Sequence, residues 1–126
     1  MLREALYRIF KSVRQRPAAT ESDVDVLRNE LSIAKSHQRL LRAGPGFVWA
    51  WDYLENAPDS SLWRVSISAA DLLTSADLQK LRQCSGDECG WMFLDTSRNR
   101  TRRWCDMKDC GNRAKVRRFR RKESHK

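Results

Sequence analysis

The four cysteines of the chain lie in its last third as two equally spaced pairs. Four residues separate Cys84 from Cys89, fifteen residues follow, and four residues again separate Cys105 from Cys110. A tetrahedral Zn²⁺ ion is commonly held by two short loops that each supply two thiolates. The spacing therefore predicts one structural zinc ion with Cys84, Cys89, Cys105 and Cys110 as its ligands.

Two other interpretations of the cysteines stay open, namely disulfide pairs and unligated thiols. The first sixteen residues carry charges among their apolar positions and do not resemble a secretory signal peptide. A reducing cytosol is therefore expected, and it favours metal binding over disulfides. A zinc ion with four protein ligands has no open position for a substrate, which indicates a structural ion. The sequence also has no phosphate-binding loop or nucleophile elbow. We therefore expect that the protein is not an enzyme.

The net charge of +9 is concentrated at the C-terminal end of the chain. Residues 1–97 contain twelve Lys and Arg against thirteen Asp and Glu, whereas residues 98–126 contain thirteen against three. Such asymmetry predicts a polyanionic partner. Arginine outnumbers lysine in the basic part, and its planar guanidinium matches a phosphate with two hydrogen bonds. We therefore expect a nucleic-acid partner, with double-stranded DNA as the first hypothesis.

The candidate nucleic-acid contacts form two groups. One group surrounds the turn-rich segment between the Cys pairs, and the other lies on a helix predicted from Asn112 onward. On that helix Arg113, Arg117 and the pair Arg120 and Arg121 recur at a spacing that places them on one face. The full set is Arg98, Arg100, Arg102, Arg103, Arg113, Lys115, Arg117, Arg118, Arg120 and Arg121.

The elements that must position these residues form a small finger. We predict strands at Trp91–Asp95 and Thr101–Cys105, joined as a hairpin that brings Cys105 beside Cys89. The fold expected here is a treble-clef-like ββα zinc finger with four cysteine ligands. We further expect Phe119 to dock on the hairpin. The small core of the finger is expected to contain Trp91, Phe93 and Trp104.

The N-terminal part is predicted to be a small, mainly α-helical domain with one short strand. Apolar residues at helical spacing predict helices at about 2–15, from about 20 to 43, and at about 62–74. A strand is expected at Phe47–Trp51 and a polar loop at 56–61, and Trp49, Trp51 and Trp63 are expected to pack in the core. A helix restart at Thr74–Asp77 then leads to Cys84. No apolar run approaches the ~20 residues that span a bilayer.

The segment from about Leu81 to Lys122 resembles the CGNR zinc finger of bacterial proteins. It contains all four cysteines, an SRN turn, an RRWC run and the tetrapeptide Cys110-Gly111-Asn112-Arg113 from which that family is named. Upstream, LREALYRIF, GFVWAW and LLTSADLQKLRQC are similar to the ABATE module that usually precedes the finger. We therefore expect domains at 1–80 and 81–122 and a disordered tail at 123–126. Members generally carry a further stretch before the segment matching LREALYRIF, so either a short member or an incomplete N-terminal domain is expected.

The resemblance implies a stress-induced transcription regulator that binds DNA through its finger. It implies zinc ligation by the four cysteines and phosphate or base contacts from Arg98, Arg100, Arg102, Arg103, Arg113, Arg117 and Arg118. We expect a cytoplasmic, nucleoid-associated protein whose N-terminal helices form a homodimer or receive a signal. Three alternatives remain: an RNA-binding protein in which Trp91 or Phe119 stacks on bases, a redox or zinc sensor that uses the four-cysteine site as its switch, and a protein-interaction scaffold.

Overall fold

Three helices and one β-hairpin form the described residues of the first of two units in the chain. A computed structural model describes residues 1–52 and 59–124 and separates Met1–Ser75 from Ala76–Lys126. Residues 56–58 of the predicted loop at 56–61 lie outside the described residues, as do 125 and 126 of the predicted tail, whereas 60 and 61 are helical and correct the predicted loop. The elements of the first unit are α1 (Leu2–Ser12), α2 (Glu21–Ser36), β1 (Gln38–Ala43), β2 (Gly46–Trp51) and α3 (Ser60–Leu73).

The core of this unit lies where the three helices meet. Leu2, Leu6 and Ile9 recur on one face of α1 and are buried against Leu27 of α2 and Ala69 of α3. This is the apolar face that the helical spacing predicted. Burial of these side chains stabilises the three helices together, since helices this short are only marginally stable when isolated in water.

A buried carboxylate connects α1 to α2. The Oγ1 atom of Thr20 accepts the backbone N–H of Asp23 at 3.2 Å and begins α2. Asp23 in turn accepts Nε of Arg8 at 2.9 Å and Nη2 of Arg8 at 2.6 Å. These hydrogen bonds from Arg8 are the main reason that the pKa of Asp23 lies below its usual value.

The segment Gln38–Ala43 corrects the predicted helix, which was expected to continue to about Ala43. It forms β1 and pairs antiparallel with β2, with Leu40 opposite Trp49. Gly44 has φ +56° and precedes Pro45, whose ring fixes φ near −65°. Gly at the first central position is typical of a two-residue type II′ hairpin turn, which returns the chain on itself.

Trp49 corrects a second expectation, because its side chain is 67% exposed and not packed in the core. Trp63 is buried as predicted, and its ring stacks on His37 with the centroids 4.1 Å apart. In the part of the chain that the structure describes, no helix combines the length and apolar character needed to cross a membrane.

The second unit contains short elements around the cysteines and one longer helix. A 3-10 helix at Ala76–Lys80 is followed by β3 (Leu81–Gln83) and β4 (Met92–Leu94), which pair antiparallel. A single turn of π-helix at Met107–Gly111 then continues into α4 (Asn112–Glu123). The described residues therefore form four α-helices and two separate two-stranded sheets.

The predicted pairing of Trp91–Asp95 with Thr101–Cys105 is wrong. The strand around Met92 pairs instead with Leu81–Gln83, and residues 101–105 form no strand. The backbone there is bound by isolated hydrogen bonds, one from the N–H of Ser85 to the carbonyl of Arg103 at 2.8 Å. The buried carboxylate of Asp95 accepts the backbone N–H of Arg102 and holds this segment beside β4 without strand pairing.

Candidate metal centre and basic surface

Four different local structures position the four cysteines. Cys84 directly follows β3, and its backbone N–H donates to the carbonyl of Trp91 at 2.8 Å. Cys89 lies in the tight loop before β4, where Glu88 and Gly90 have φ of 61° and 67°. Cys105 follows the irregular segment and Cys110 lies in the π-helical turn at the root of α4. Strand pairing and the loop turn thus bring distant cysteines together.

The geometry of the sulfur atoms fits a tetrahedral metal site. All four Sγ atoms lie within 4.8 Å of one another, and Sγ of Cys105 is 3.7 Å from Sγ of both Cys89 and Cys110. A tetrahedron with Zn–S bonds of about 2.3 Å has an edge of about 3.8 Å. Disulfide sulfurs would be about 2.0 Å apart, and all four cysteines are free. The cluster therefore has the donors and spacing of a zinc site.

The thiols of the cluster differ in their acidity. Burial opposes ionisation of Cys84, yet backbone N–H donors from Cys105 at 3.3 Å and Gly86 at 3.4 Å outweigh it, and its pKa is lowered to about 7. A hydrogen bond to Cys89, followed by burial, raises the pKa of Cys110 to about 12. Four thiolates this close repel one another, and a divalent cation relieves that repulsion.

Asp95 is a structural residue of the finger that sequence reasoning missed. Its carboxylate is fully buried and accepts the N–H of Ser97 at 3.0 Å, the hydroxyl of Ser97 at 2.5 Å and the N–H of Arg102 at 3.1 Å. The hydroxyl of Ser97 is the main cause of its lowered pKa. Asp followed two residues later by Ser is the signal of a side-chain-closed turn, and it was present in the sequence.

Arg102, a predicted nucleic-acid contact, is used inside the finger. Its Nε donates to the carbonyl of Trp104 at 2.8 Å, and its Nη2 donates to the carbonyl of Cys105. The guanidinium also lies over the ring of Phe93, 4.5 Å from the centroid. Arg103 lies over Trp104 at 5.1 Å. These contacts fix the backbone next to Cys105.

A cleft between the first Cys loop and α4 gathers arginines from several parts of the predicted set. It has a volume of about 290 Å³, and Gly86, Trp104 and Cys110 lie in its wall. The arginines that line it are Arg103, Arg113, Arg117, Arg118 and Arg121. Arg117 forms an ion pair with Asp87 of the first Cys loop. Of the residues that the helical spacing placed on one face, Arg113, Arg117 and Arg121 line the cleft and Arg120 does not.

The remaining basic residues lie elsewhere on the finger. Lys115 lines a neighbouring groove together with Arg118, and Arg120 lines a further groove of α4 together with Phe119. Arg98 and Arg100 are exposed on the loop after Asp95 and do not line the cleft. The cationic surface therefore extends around α4 and is not confined to one face.

Two aromatic residues differ from expectation. Trp91, predicted to lie in the core of the finger, is 70% exposed, and Phe119, predicted to dock on the hairpin, is 62% exposed. Trp91 immediately precedes β4, where its carbonyl binds Cys84 and its ring turns outward. Both rings are accessible to a ligand.

Comparison with known protein families yields two matches that together cover most of the chain. A family model of the CGNR zinc finger matches residues 80–123. A second model, ABATE, described as "Putative stress-induced transcription regulator", matches residues 1–76. No curated protein matches the chain.

Proposed function

The chain belongs to the ABATE family and carries a CGNR zinc finger, and from this premise we propose that it is a zinc-dependent DNA-binding regulator of transcription. The observation that carries the proposal is the arginine-lined cleft beside the four-cysteine cluster. We assign it a regulatory role in a bacterial stress response. It acts by binding and not by catalysis, in the cytoplasm and at the nucleoid.

One zinc ion per chain is proposed, with Cys84, Cys89, Cys105 and Cys110 as its ligands. When bound, it supplies a cross-link between the two Cys pairs and neutralises their thiolates. The four ligands fill a tetrahedral shell, which supports a structural ion in a treble-clef-like finger. Native mass spectrometry is expected to give one zinc per chain, and Cys110→Ser is expected to lose it.

The proposed interface consists of the cleft and the cationic sides of α4. Arginine and lysine side chains there would bind backbone phosphates and orient α4 toward a groove. Arg98 and Arg100 extend the interface from the loop after Asp95. The internal hydrogen bonds of Arg102 support a different role for that residue, which is to brace the finger and not to bind a phosphate.

The test is the salt dependence of binding to duplex DNA. If about six phosphates are contacted, a plot of log K against log salt is expected to have a slope of about −5. Arg118→Gln removes a cleft arginine and is expected to reduce the slope by about 1. Arg64→Gln removes the same charge from exposed α3, outside the finger, and serves as the matched control. A slope near zero, or equal effects of the two substitutions, would contradict the proposal.

RNA is a second candidate partner, and the exposure of Trp91 and Phe119 favours it. Single-stranded bases stack on accessible aromatic rings, whereas phosphate binding alone does not require them. Competition between duplex DNA and single-stranded RNA distinguishes the two partners. If Trp91→Ala weakens RNA binding and leaves DNA binding unchanged, RNA is the better assignment.

We also propose that the N-terminal unit forms a homodimer through its helices. Ile33 of α2 and Val65 of α3 are 46% and 48% exposed, which leaves apolar surface for a second copy. Light scattering coupled to size exclusion measures the mass. A monomer at micromolar concentration would contradict this part of the proposal.

A further inference from the structure

The cleft beside the cysteines contains one acidic side chain among its arginines. Among the described residues that line the cleft, the acidic residue is Asp87, and it lies in the loop between Cys84 and Cys89. Its carboxylate forms an ion pair with Nη1 of Arg117, from the middle of α4. A carboxylate that binds a guanidinium uses the same hydrogen-bonding geometry as a phosphate oxygen.

The ion pair has little to contribute to stability. The side chains of Asp87 and Arg117 are 70% and 47% exposed, and ion pairs this exposed are weak because water screens them and long side chains must be ordered. The fold of the loop is secured by other groups, which include the N–H of Gly86 bound to Cys84 and the N–H of Cys89 bound to the carbonyl of Gly86. Asp87 is therefore free to exchange its partner without loss of the finger.

We infer that Asp87 occupies a phosphate-binding position in the cleft and is displaced from Arg117 when a phosphate binds. The inference rests on the proposed function, since it names the contact that a nucleic-acid backbone must replace. In the free protein the carboxylate neutralises Arg117 and repels other anions near the cleft. Asp87 thereby lowers the affinity for any polyanion and requires an incoming phosphate to make more contacts than Arg117 alone offers.

The chain offers a closely matched pair of substitutions. Asp87→Asn removes the charge with almost no change in shape. Glu88→Gln removes the same charge from the adjacent residue, which is exposed and does not line the cleft. Both variants raise the net charge by one unit, so a difference between them isolates the ion pair with Arg117.

The expected result is a specific gain in affinity for duplex DNA. At about 0.1 M salt, Asp87→Asn is expected to bind duplex DNA about fivefold more tightly than the wild type, because the phosphate no longer has to displace a carboxylate from Arg117. Its plot of log K against log salt should keep the slope of the wild type, because Arg117 contacts the same phosphate in both complexes. Glu88→Gln should change the affinity by about twofold or less, since more distant charges are screened.

A double-mutant cycle tests whether Asp87 acts through Arg117. In an Arg117→Gln background, Asp87→Asn should have no larger effect than Glu88→Gln. Equal effects of Asp87→Asn and Glu88→Gln in the wild-type background would overturn the inference. So would loss of zinc from Asp87→Asn, because the carboxylate would then be a structural part of the loop.

Inorganic phosphate separates this inference from the proposed function. The Nε–H resonance of Arg117 in the intact protein is expected to shift when phosphate is added, and to shift at lower phosphate concentration in Asp87→Asn. If duplex DNA does not bind but this shift is observed, the cleft binds phosphate and the nucleic-acid assignment is wrong. If DNA binds and the resonance does not respond to either ligand, the role given to Asp87 is wrong.

Discussion

Replacement of Gly86 by alanine tests whether the first Cys loop is packed against the metal ligands. A Cβ atom built at Gly86 would lie 3.1 Å from Sγ of Cys110, 3.3 Å from Cβ of Cys89 and 3.4 Å from Cβ of Cys110. All three neighbours belong to proposed ligands, whose positions a metal would fix. The substitution therefore crowds the cluster without removing a ligand.

The free energy that this crowding costs can be estimated. Overpacking a well-packed site by one methyl group typically costs about 1–3 kcal/mol. If the strain falls on the metal-bound state, zinc affinity should fall by about 5- to 150-fold. The N–H of Gly86 that donates to Cys84 remains in the variant, so the loss is steric and does not arise from a missing hydrogen bond.

Competition with a chromophoric chelator measures the zinc affinity of the intact protein. Gly46→Ala is the control, because the nearest atom to its Cβ is the carbonyl oxygen of Ala43 at 4.0 Å, and it should leave zinc affinity unchanged. If Gly86→Ala binds zinc within about twofold of the wild type, the loop is not packed as described. The reasoning from the sulfur geometry would then be refuted as well.

Three further predictions concern the core, the buried carboxylate of the N-terminal unit and the turn of the finger. Leu6→Ala should destabilise the first unit by about 2–5 kcal/mol in denaturant unfolding and leave zinc affinity unchanged. Asp23→Asn should lower the melting temperature of that unit at pH 7, and the difference from wild type should shrink as the pH falls below about 3.8. The reason is that a carboxylate whose pKa is lowered in the folded state stabilises the fold at pH values above its pKa in the unfolded state, and this stabilisation is lost as the carboxylate protonates. A difference in melting temperature that does not vary with pH would contradict the assignment. Asp95→Asn should accelerate amide exchange at Ser97 and Arg102 and weaken DNA binding although every arginine remains, whereas unchanged exchange would show that the turn does not need the carboxylate.

The parts of the fold that could be predicted from sequence are those governed by local pattern. The apolar face of α1, the start of α4 after Cys110 and the grouping of four cysteines each follow from spacing alone. The apolar stripe predicted for α3 is wrong in part, because Leu62 and Val65 are exposed and the buried face carries Trp63, Ser66 and Ala69. The end of α2 could not be predicted in this way, because residues 38–43 have helical propensity and become a strand only through pairing with Gly46–Trp51.

The four cysteines of the candidate site could be predicted from their spacing, but the roles of the arginines around them could not. Arg102 and Arg118 are indistinguishable in sequence, yet one binds the carbonyls of Trp104 and Cys105 and the other lines the cleft. The pairing of β4 with β3 involves partners on opposite sides of the first Cys pair, and no local signal specifies it. Roles of this kind depend on tertiary contacts, which spacing does not encode.

The π-helical turn that contains Cys110 continues without a break into α4, so the backbone of the helix joins the cysteine cluster at its N-terminal end. The twelve residues of α4 form a rod of about 18 Å. A tilt of about 10° at its root would move the far end by about 3 Å, the length of a hydrogen bond, while Arg113 would hardly move. Small changes in the coordination sphere would thus be amplified along the rod, and the arginines most distant from the cysteines would be the ones most sensitive to them.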